Sequence, residues 1–231
     1  MHHIFAHRGV SGLAIENSAK AIELCAEYKI NALEIDLQLL GDNTPVLFHD
    51  ANLQRLANRD EALIDLTKQT MQKVQLNMPG KQSQPVLFMD EFMQIIIKHK
   101  LKVNVELKRF DQSIEHYIQY IMKPLLQQVP NAQILISGFD CELLKAVRAY
   151  SNDIDIALLS RKLETNTLAN IAEIKAVACH LQDDYLQISD INKIKKQVKY
   201  LGVYTVNDTK RYKQLREAGV DYVFSDYPHL L

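Results

Sequence analysis

The sequence predicts an α/β protein folded as a closed (β/α)₈ TIM barrel with a small insertion after the second strand. Three observations lead there. Apolar runs of strand length alternate with amphipathic helical stretches about eight times in 231 residues, the pattern of a parallel sheet. Eight such units in this length come near the ~250 residues usual for a closed barrel. The turn after the first strand reads His7-Arg8-Gly9, without the glycine-rich phosphate turn that an open doubly wound sheet would carry there. No internal repeat or low-complexity tract interrupts the pattern.

The elements follow in order. Ile4-Phe5-Ala6 is a short first strand. A loop holding Ser11, Gly12, Glu16 and Asn17 leads to a helix from Ser18 to Tyr28. The second strand is Ala32 to Leu37, and Val46-Leu47-Phe48 extends it or pairs beside it after the Asn43-Thr44-Pro45 turn. Residues 51–88 are polar and irregular and read as an insertion at the mouth, with one short helix near Lys68 to Val74. The alternation then resumes with a helix from Met89 to His99 and a strand from Lys102 to Leu107. A helix from Ser113 to Gln128 follows, bent or split by Pro124. The next strand is Gln133 to Ile136, and Asp140 caps a helix to Tyr150. Beyond it come a strand at Ile154 to Leu159, a helix at Leu168 to Ile174 and a strand at Ala176 to Cys179. A helix from Ile188 to Gln197, a strand from Tyr200 to Tyr204, a helix from Asp208 to Ala218 and a strand from Tyr222 to Phe224 complete the series. The domain expected is a single barrel over 1–231.

Composition narrows the partners. With 47% hydrophobic residues the chain can bury a full core. Its 27 basic and 28 acidic side chains leave a net charge of −1, so no global field favours nucleic acid or an anionic membrane. Lys193-Ile194-Lys195-Lys196 and Lys210-Arg211-Tyr212-Lys213 read as solvated helix faces. Cys25, Cys141 and Cys179 are odd in number, lack metal-type spacing and sit in apolar contexts, which predicts buried free thiols in a reducing compartment. The start has no apolar signal region, and no stretch approaches the ~20 apolar residues of a membrane-spanning helix. A cytoplasmic protein without stable membrane insertion is expected, its oligomeric state left open. His2 and His3 are assigned no role.

The chemistry gathers at strand ends. Glu34 and Asp36 lie two apart in Ala-Leu-Glu-Ile-Asp-Leu, so a strand places both carboxylates on one face. Two buried carboxylates side by side call for a cation. His7 and Arg8 follow the first strand, His49 and Asp50 follow the extension of the second, and Glu106 and Lys108 end the third. Ser137, Asn207 and Asp226 stand at later strand ends. In a barrel these ends form the face where active sites are built. Glu34, Asp36 and Glu106 make an all-oxygen site suited to Mg²⁺, Ca²⁺ or Mn²⁺ rather than zinc. Arg8 and Lys108 are cations placed to hold phosphate oxygens. His7 and His49 supply an acid–base pair, one imidazole for the attacking hydroxyl and one for the leaving oxygen. Asp50 is expected to orient His49. The combination points to a metal-assisted phosphodiesterase. His180 and Asp183-Asp184 read as solvated loop residues, and His99, His116 and His229 as surface.

The pieces His7-Arg8-Gly9, Glu16-Asn17-Ser18, Glu34-Ile35-Asp36-Leu37, Pro45-Val46-Leu47-Phe48-His49-Asp50, Leu53-Gln54-Arg55, Glu106-Leu107-Lys108, Tyr204-Thr205-Val206-Asn207, Gly219-Val220-Asp221 and Ser225-Asp226-Tyr227-Pro228 occur in an order that resembles the glycerophosphodiester phosphodiesterase family. The resemblance covers almost the whole chain. It implies the barrel with its insertion, one divalent ion on Glu34, Asp36 and Glu106, and His7 and His49 as catalysts. It also implies hydrolysis of a small glycerophosphodiester to sn-glycerol 3-phosphate and an alcohol, by a cyclic phosphate or by direct attack of water. Glu16 and Asn17 fall around the substrate, as does Asn207, and Tyr204 stands where the family has a tryptophan near the glycerol moiety. Ile15, Ser18, Leu40-Gly41-Asp42-Asn43 and Leu56-Ala57 also depart from the family pattern. Two other readings compete. A lysophospholipase D would need an acyl groove, for which Leu76, Met78, Val86 and Leu87 are candidates. A non-catalytic phosphodiester-binding barrel would have no need of two imidazoles.

Overall fold

The computed structural model describes residues 4–231; His2 and His3 lie outside the described residues. Eleven strands form within them: β1 (Ile4–Ala6), β2 (Ala32–Leu39), β3 (Pro45–Leu47), β4 (Gln75–Leu76), β5 (Gln84–Pro85), β6 (Lys102–Leu107), β7 (Ile134–Gly138), β8 (Asp155–Ser160), β9 (Ala178–Gln182), β10 (Tyr200–Tyr204) and β11 (Tyr222–Ser225). Eight of them make a parallel barrel in the order β1, β2, β6, β7, β8, β9, β10, β11. The ring closes because β1 pairs with β11 on one side and β2 on the other, through Ala6↔Ser225 and Ala6↔Leu33. β3 runs antiparallel to β2 on its outer end, with Leu37 opposite Leu47.

Period-two alternation divides the apolar residues between two cores. Leu33, Ile35, Leu37, Val103, Val105 and Ile136 point outward into the layer beneath the helices. Each helix offers that layer one stripe. Residues Ala19–Glu27 bury Ala21, Ile22, Leu24 and Cys25, the i, i+3, i+4 spacing of one helical face, and the Ser18 side chain caps the helix by accepting from Ala21 N. Inside the barrel, Phe5, Ala32, Tyr222 and Phe224 form a separate small core.

The inner core corrects one expectation. His180 is a residue of β9, 1% exposed, and not a solvated loop residue. Its Nε2 lies 2.8 Å from the Tyr222 hydroxyl, and its ring packs edge-on against Phe224 with centroids 4.8 Å apart. Burial pushes its pKa down to about 3, so the imidazole is neutral. Gly202 on the next strand makes room: a Cβ there would meet Tyr222 Cε2 at 2.4 Å and His180 Cδ2 at 2.9 Å. The strand was expected to end at Cys179 because His180 and Gln182 break the apolar run. They stay in the ladder, opposite Gly202 and Tyr204. For the same reason β2 runs to Leu39, β7 to Gly138 and β11 to Ser225. Cys25 and Cys179 are buried as free thiols, and Cys141 is only half-buried.

Residues 51–88 hold more order than the sequence indicates. They contain helical turns at Gln54–Ala57 and Lys68–Met71 and the β4–β5 hairpin. Leu53, Leu56, Leu63, Leu66, Met71, Val74, Leu76 and Val86 form an apolar core with Ile15, Leu40, Val46 and Phe48. These residues follow no helix or strand period, which hides the core from a reading by pattern. Leu76 and Val86 are buried there, Met78 packs against it, and Leu87 belongs to the main core, so these four side chains form no open groove. The helical segment from Ile114 to Gln128 is not split at Pro124. A wider π-helical stretch, Tyr117–Met122, precedes the final α-turns at Lys123–Gln128 and relieves the clash between the proline ring and the preceding turn.

The buried neutral His180 gives a stability test. Its folded pKa lies below the ordinary 6.5, so its contribution is complete above that value and is lost as pH falls toward 3. Each unit in that window costs about 1.4 kcal/mol. Between pH 7 and pH 5, urea melts of the wild type are expected to lose more stability than those of His180→Gln, by about 2 kcal/mol; equal losses would contradict the assignment.

Candidate active site

β2 sets the frame. All eight of its residues are buried, and the alternation that turns Ile35 and Leu37 outward turns Glu34, Asp36 and Gln38 inward. β6 pairs with it so that Glu34 stands opposite Asn104, and Asp36 opposite Glu106. Glu34, Asp36 and Glu106 can each present a carboxylate oxygen within 4.8 Å of the other two. Glu34 Oε1 is buried with no donor, and the buried Asp36 Oδ1 and Glu106 Oε1 meet only the Lys108 ammonium.

Two cations face this group. Arg8 and Gly9 both take left-handed backbone, with φ of 56° and 78°. A Cβ on Gly9 would lie 2.6 Å from the Ala21 carbonyl carbon, so the turn requires glycine there. The turn aims Arg8 N–H at Glu34 Oε2, 2.9 Å away. The Arg8 guanidinium then reaches Asp36 Oδ2 at 3.0 Å and Glu16 Oε1 at 2.7 Å. Lys108 Nζ lies 2.5 Å from Glu106 Oε1 and 3.4 Å from Asp36 Oδ1, and sits over the Phe139 ring. Asn17 also has left-handed backbone, φ 58°. It donates to Asp36 Oδ2 at 2.9 Å and accepts from Asp36 N at 3.1 Å, fixing that carboxylate from behind.

The charges do not balance. Burial, then Asp36 and Glu106, push the Glu34 pKa well up, and burial and Asp36 raise Glu106. Burial acts the same way on Asp36, but Arg8 and Lys108 outweigh it and hold that carboxyl below its usual range. Three carboxylates against two cations leave one negative charge when all are ionised. A divalent ion would bring the group to +1, complementary to the single charge of a phosphodiester. It would also satisfy the Glu34 oxygen that lacks a donor and reverse the upward pressure on Glu34. The donor set therefore fits a hard divalent cation.

The two imidazoles are held alike. His7 Nδ1 lies 2.7 Å from Asp226 Oδ1, and His49 Nδ1 lies 2.7 Å from Asp50 Oδ1. In both rings this leaves Nε2 as the nitrogen available to a substrate. Asp226 also accepts from Ser11 Oγ at 2.9 Å and from Asn207 Nδ2 at 2.7 Å. His7 first, then Asn207 and Ser11, outweigh its burial and hold it well below the ordinary carboxylate range. Asp50 is pushed down to about 2, because His49 and Arg55 outweigh its burial.

His7, His49, Arg8, Glu106, Lys108 and Tyr204 line a single mouth of about 750 Å³, together with Phe110, Phe139, Arg161, Gln182 and Asp184. Tyr204 stands edge-on to Phe139 with ring centroids 6.4 Å apart. Glu16, Asn17 and Asn207 do not line the mouth. They hold Arg8, Asp36 and Asp226 respectively. Asp184 is exposed at the rim, while Asp183 pairs with Arg211. Ser137 is fully buried beside Glu106.

Three residues have supporting roles that the sequence reading did not assign. Asp226 positions the His7 ring. Arg55 binds Asp50 and Glu16. Gln38 donates to Phe48 O at 2.7 Å and to Asp50 O at 2.9 Å, gripping the backbone on both sides of His49. Gln38 had a legible signal, since it continues the period-two series of Glu34 and Asp36.

A TIM barrel whose mouth combines buried carboxylates, anion-binding cations and paired imidazoles has the equipment of a phosphoric diester hydrolase. The profile of the Glycerophosphoryl diester phosphodiesterase family matches residues 7–230, and the chain belongs to that family and has its hydrolase activity. It is 26% identical over 247 residues to a glycerophosphodiester phosphodiesterase of Bacillus subtilis, covering 97% of this chain and 83% of the relative. It is 25% identical over 240 residues to one from Bacillus altitudinis, covering 99% and 96%. In structure it is similar to an Oleispira antarctica phosphodiesterase in complex with the product sn-glycerol-3-phosphate. That match has a TM-score of 0.91 and 25% identity, over 99% of this chain and 94% of the other. Among the described residues no helix is long and apolar enough to cross a membrane.

The fit of the carboxylates to a cation can be tested without any assay of turnover. A divalent ion that binds only the folded state at a hundred times its Kd raises unfolding stability by about 2.7 kcal/mol. Thermal melts with Mg²⁺, Ca²⁺ or Mn²⁺ are expected to show a concentration-dependent rise in Tm for the wild type and none for Glu106→Gln. A rise of equal size in both would place the ion elsewhere.

Proposed function

We propose that the enzyme hydrolyses small glycerophosphodiesters to sn-glycerol 3-phosphate and an alcohol with His7 and His49 as its acid–base pair and one divalent cation, Mg²⁺, Ca²⁺ or Mn²⁺, held by Glu34, Asp36 and Glu106. The observation that carries the reading is the matched pair of imidazoles, each with Nδ1 2.7 Å from a carboxylate oxygen, at the mouth lined by Glu106 of the three clustered carboxylates.

The ion, when bound, supplies Lewis-acid polarisation of a phosphoryl oxygen. The protein's groups do the rest. Arg8 and Lys108 hold the remaining phosphoryl oxygens and stabilise charge that builds there in the transition state. Nε2 of one imidazole removes the proton of the attacking hydroxyl, and Asp226 or Asp50 stabilises the resulting imidazolium through Nδ1–H. Nε2–H of the other imidazole protonates the departing alkoxide, which is otherwise a poor leaving group. The attacking hydroxyl is the glycerol 2-hydroxyl, through a cyclic phosphate, or water directly. The product in the Oleispira antarctica complex is sn-glycerol-3-phosphate, which supports the same product here. The edge of Tyr204 against Phe139 forms an apolar wall beside Lys108 suited to the carbon backbone of glycerol.

A second substrate class has one observation in its favour. Phe110 and Phe139 line the mouth and are 44% and 46% exposed, a place where the chain of a lysophospholipid would rest.

The test is release of glycerol 3-phosphate from glycerophosphocholine, with EDTA and then with Mg²⁺, Ca²⁺ or Mn²⁺ restored. Metal-dependent release is expected in the wild type, with a loss of about a hundredfold or more in His7→Ala and His49→Ala. Full activity in EDTA, or in either variant, would refute the assigned roles. Choline release from lysophosphatidylcholine at a matching rate would move the assignment to the second substrate class.

A further inference from the structure

Arg55 lies in residues 51–88, outside the barrel wall, and does not line the mouth. Its short helix, Gln54–Ala57, is anchored by Leu53 and Leu56 in the second apolar core. The guanidinium between them is engaged on two sides. Nε donates to Asp50 Oδ2 at 2.7 Å. The two terminal nitrogens donate to the two oxygens of Glu16, both at 2.7 Å, a bidentate pair.

These contacts join two parts of the site that have no other link of this kind among the described residues. On one side, Asp50 uses its other oxygen for His49 Nδ1 at 2.7 Å. On the other, Glu16 Oε1 accepts from Arg8 at 2.7 Å, and Arg8 reaches Asp36 at 3.0 Å. A chain of charge-assisted hydrogen bonds thus runs His49, Asp50, Arg55, Glu16, Arg8, and an ion pair continues it to Asp36. We infer that Arg55 is a positioning residue for the hydrolysis, holding Asp50, and through it the His49 ring, in fixed relation to the Arg8 guanidinium. The inference rests on the assignment of His49 as an acid–base group.

Three features support it. Asp50 alone has free rotation about its side-chain bonds; with one oxygen on Arg55 and the other on His49 its plane is set. The planar fork of arginine meets both oxygens of Glu16 while its Nε meets Asp50, a fixed bidentate geometry that the point charge of a lysine ammonium does not reproduce. The chain also connects the group that moves the proton with the group that holds the phosphate, two positions that must agree closely, because a misplacement of about 1 Å can cost a hundredfold in rate. Arg55 does not line the mouth, and Arg8 keeps its own contacts with Asp36 and Glu16, so the effect of Arg55 is expected mainly in kcat and less in KM.

Steady-state kinetics on glycerophosphocholine, with the metal that supports turnover, test this in the full chain. The set is wild type, Arg55→Ala, Arg55→Lys, Asp50→Asn, the double variant Arg55→Ala with Asp50→Asn, and His49→Ala. Thermal melts identify the folded variants, and Arg55→Lys keeps the charge on the inserted segment if alanine unfolds it. Arg55→Ala and Arg55→Lys are expected to lower kcat about tenfold or more with KM within about threefold. In the Asp50→Asn background, where the chain is already cut, Arg55→Ala is expected to change kcat less than about twofold. The inference is overturned if Arg55→Lys retains kcat within about threefold of wild type, if the loss falls in KM, or if the two losses multiply in the double variant. An active His49→Ala would instead remove the underlying assignment of the acid–base pair and leave the geometry of Arg55 without a catalytic object.

Discussion

Three carboxylates are buried inside a parallel barrel, and much of the local structure answers to that constraint. Unpaired, they would repel one another and draw protons. The chain answers with a left-handed turn that delivers both the backbone N–H and the side chain of Arg8, a lysine two residues beyond Glu106, and an asparagine that binds Asp36 twice. The answer is incomplete, since one oxygen of Glu34 still lacks a donor and a single ammonium is shared between Asp36 and Glu106. This residual demand fits the group to a cation, where a fully neutralised cluster would be only a structural ion-pair network. A stable apolar interior would have been simpler to fold. The departure from it coincides with the chemistry, as local conflicts between stability and sequence tend to do.

The imidazoles are treated differently from the carboxylates. They sit nearer solvent, and each is oriented by an aspartate that is itself oriented. Asp226 is held by Ser11 and Asn207, and Asp50 by Arg55. The supporting groups come from different parts of the chain, with Asn207 and Asp226 following the last two strands and Arg55 lying in residues 51–88. The barrel wall therefore fixes the charged centre, while loops and inserted residues fix the rings, so each first contact is held by a second layer of bonds.

Much of this was legible in the sequence, and the rest was hidden for identifiable reasons. The period of two in β2 placed Glu34 and Asp36 on one face without any structure, and the alternation of elements indicated the barrel. Asp50 beside His49 was expected and found. His180 was misread because a polar residue ends an apolar run even when it remains in a strand; its partner Tyr222 and its neighbour Gly202 are far away in sequence. The core of residues 51–88 was invisible because its leucines obey no regular period. Arg55 and Asp226 stand inside recognisable motifs, yet a motif lists residues and does not say which side chain reaches which. The bond from Arg55 to Glu16 spans 39 residues and the one from His7 to Asp226 spans 219.

That last span has a consequence for how the molecule becomes competent. β1 and β11 are the two edges that must meet to close the ring, and His7 and Asp226 are the residues that step off those edges at the mouth. The His7–Asp226 contact is therefore a latch across the seam of the barrel, made only when the ends of the chain have come together. A chain lacking β11 would contain the three carboxylates and the His49–Asp50 pair, but the His7 ring would be without Asp226. Such long-range closure belongs among the slower steps of folding. The orientation of the His7 ring would thus arrive with the final strand, when the perimeter of the barrel is complete.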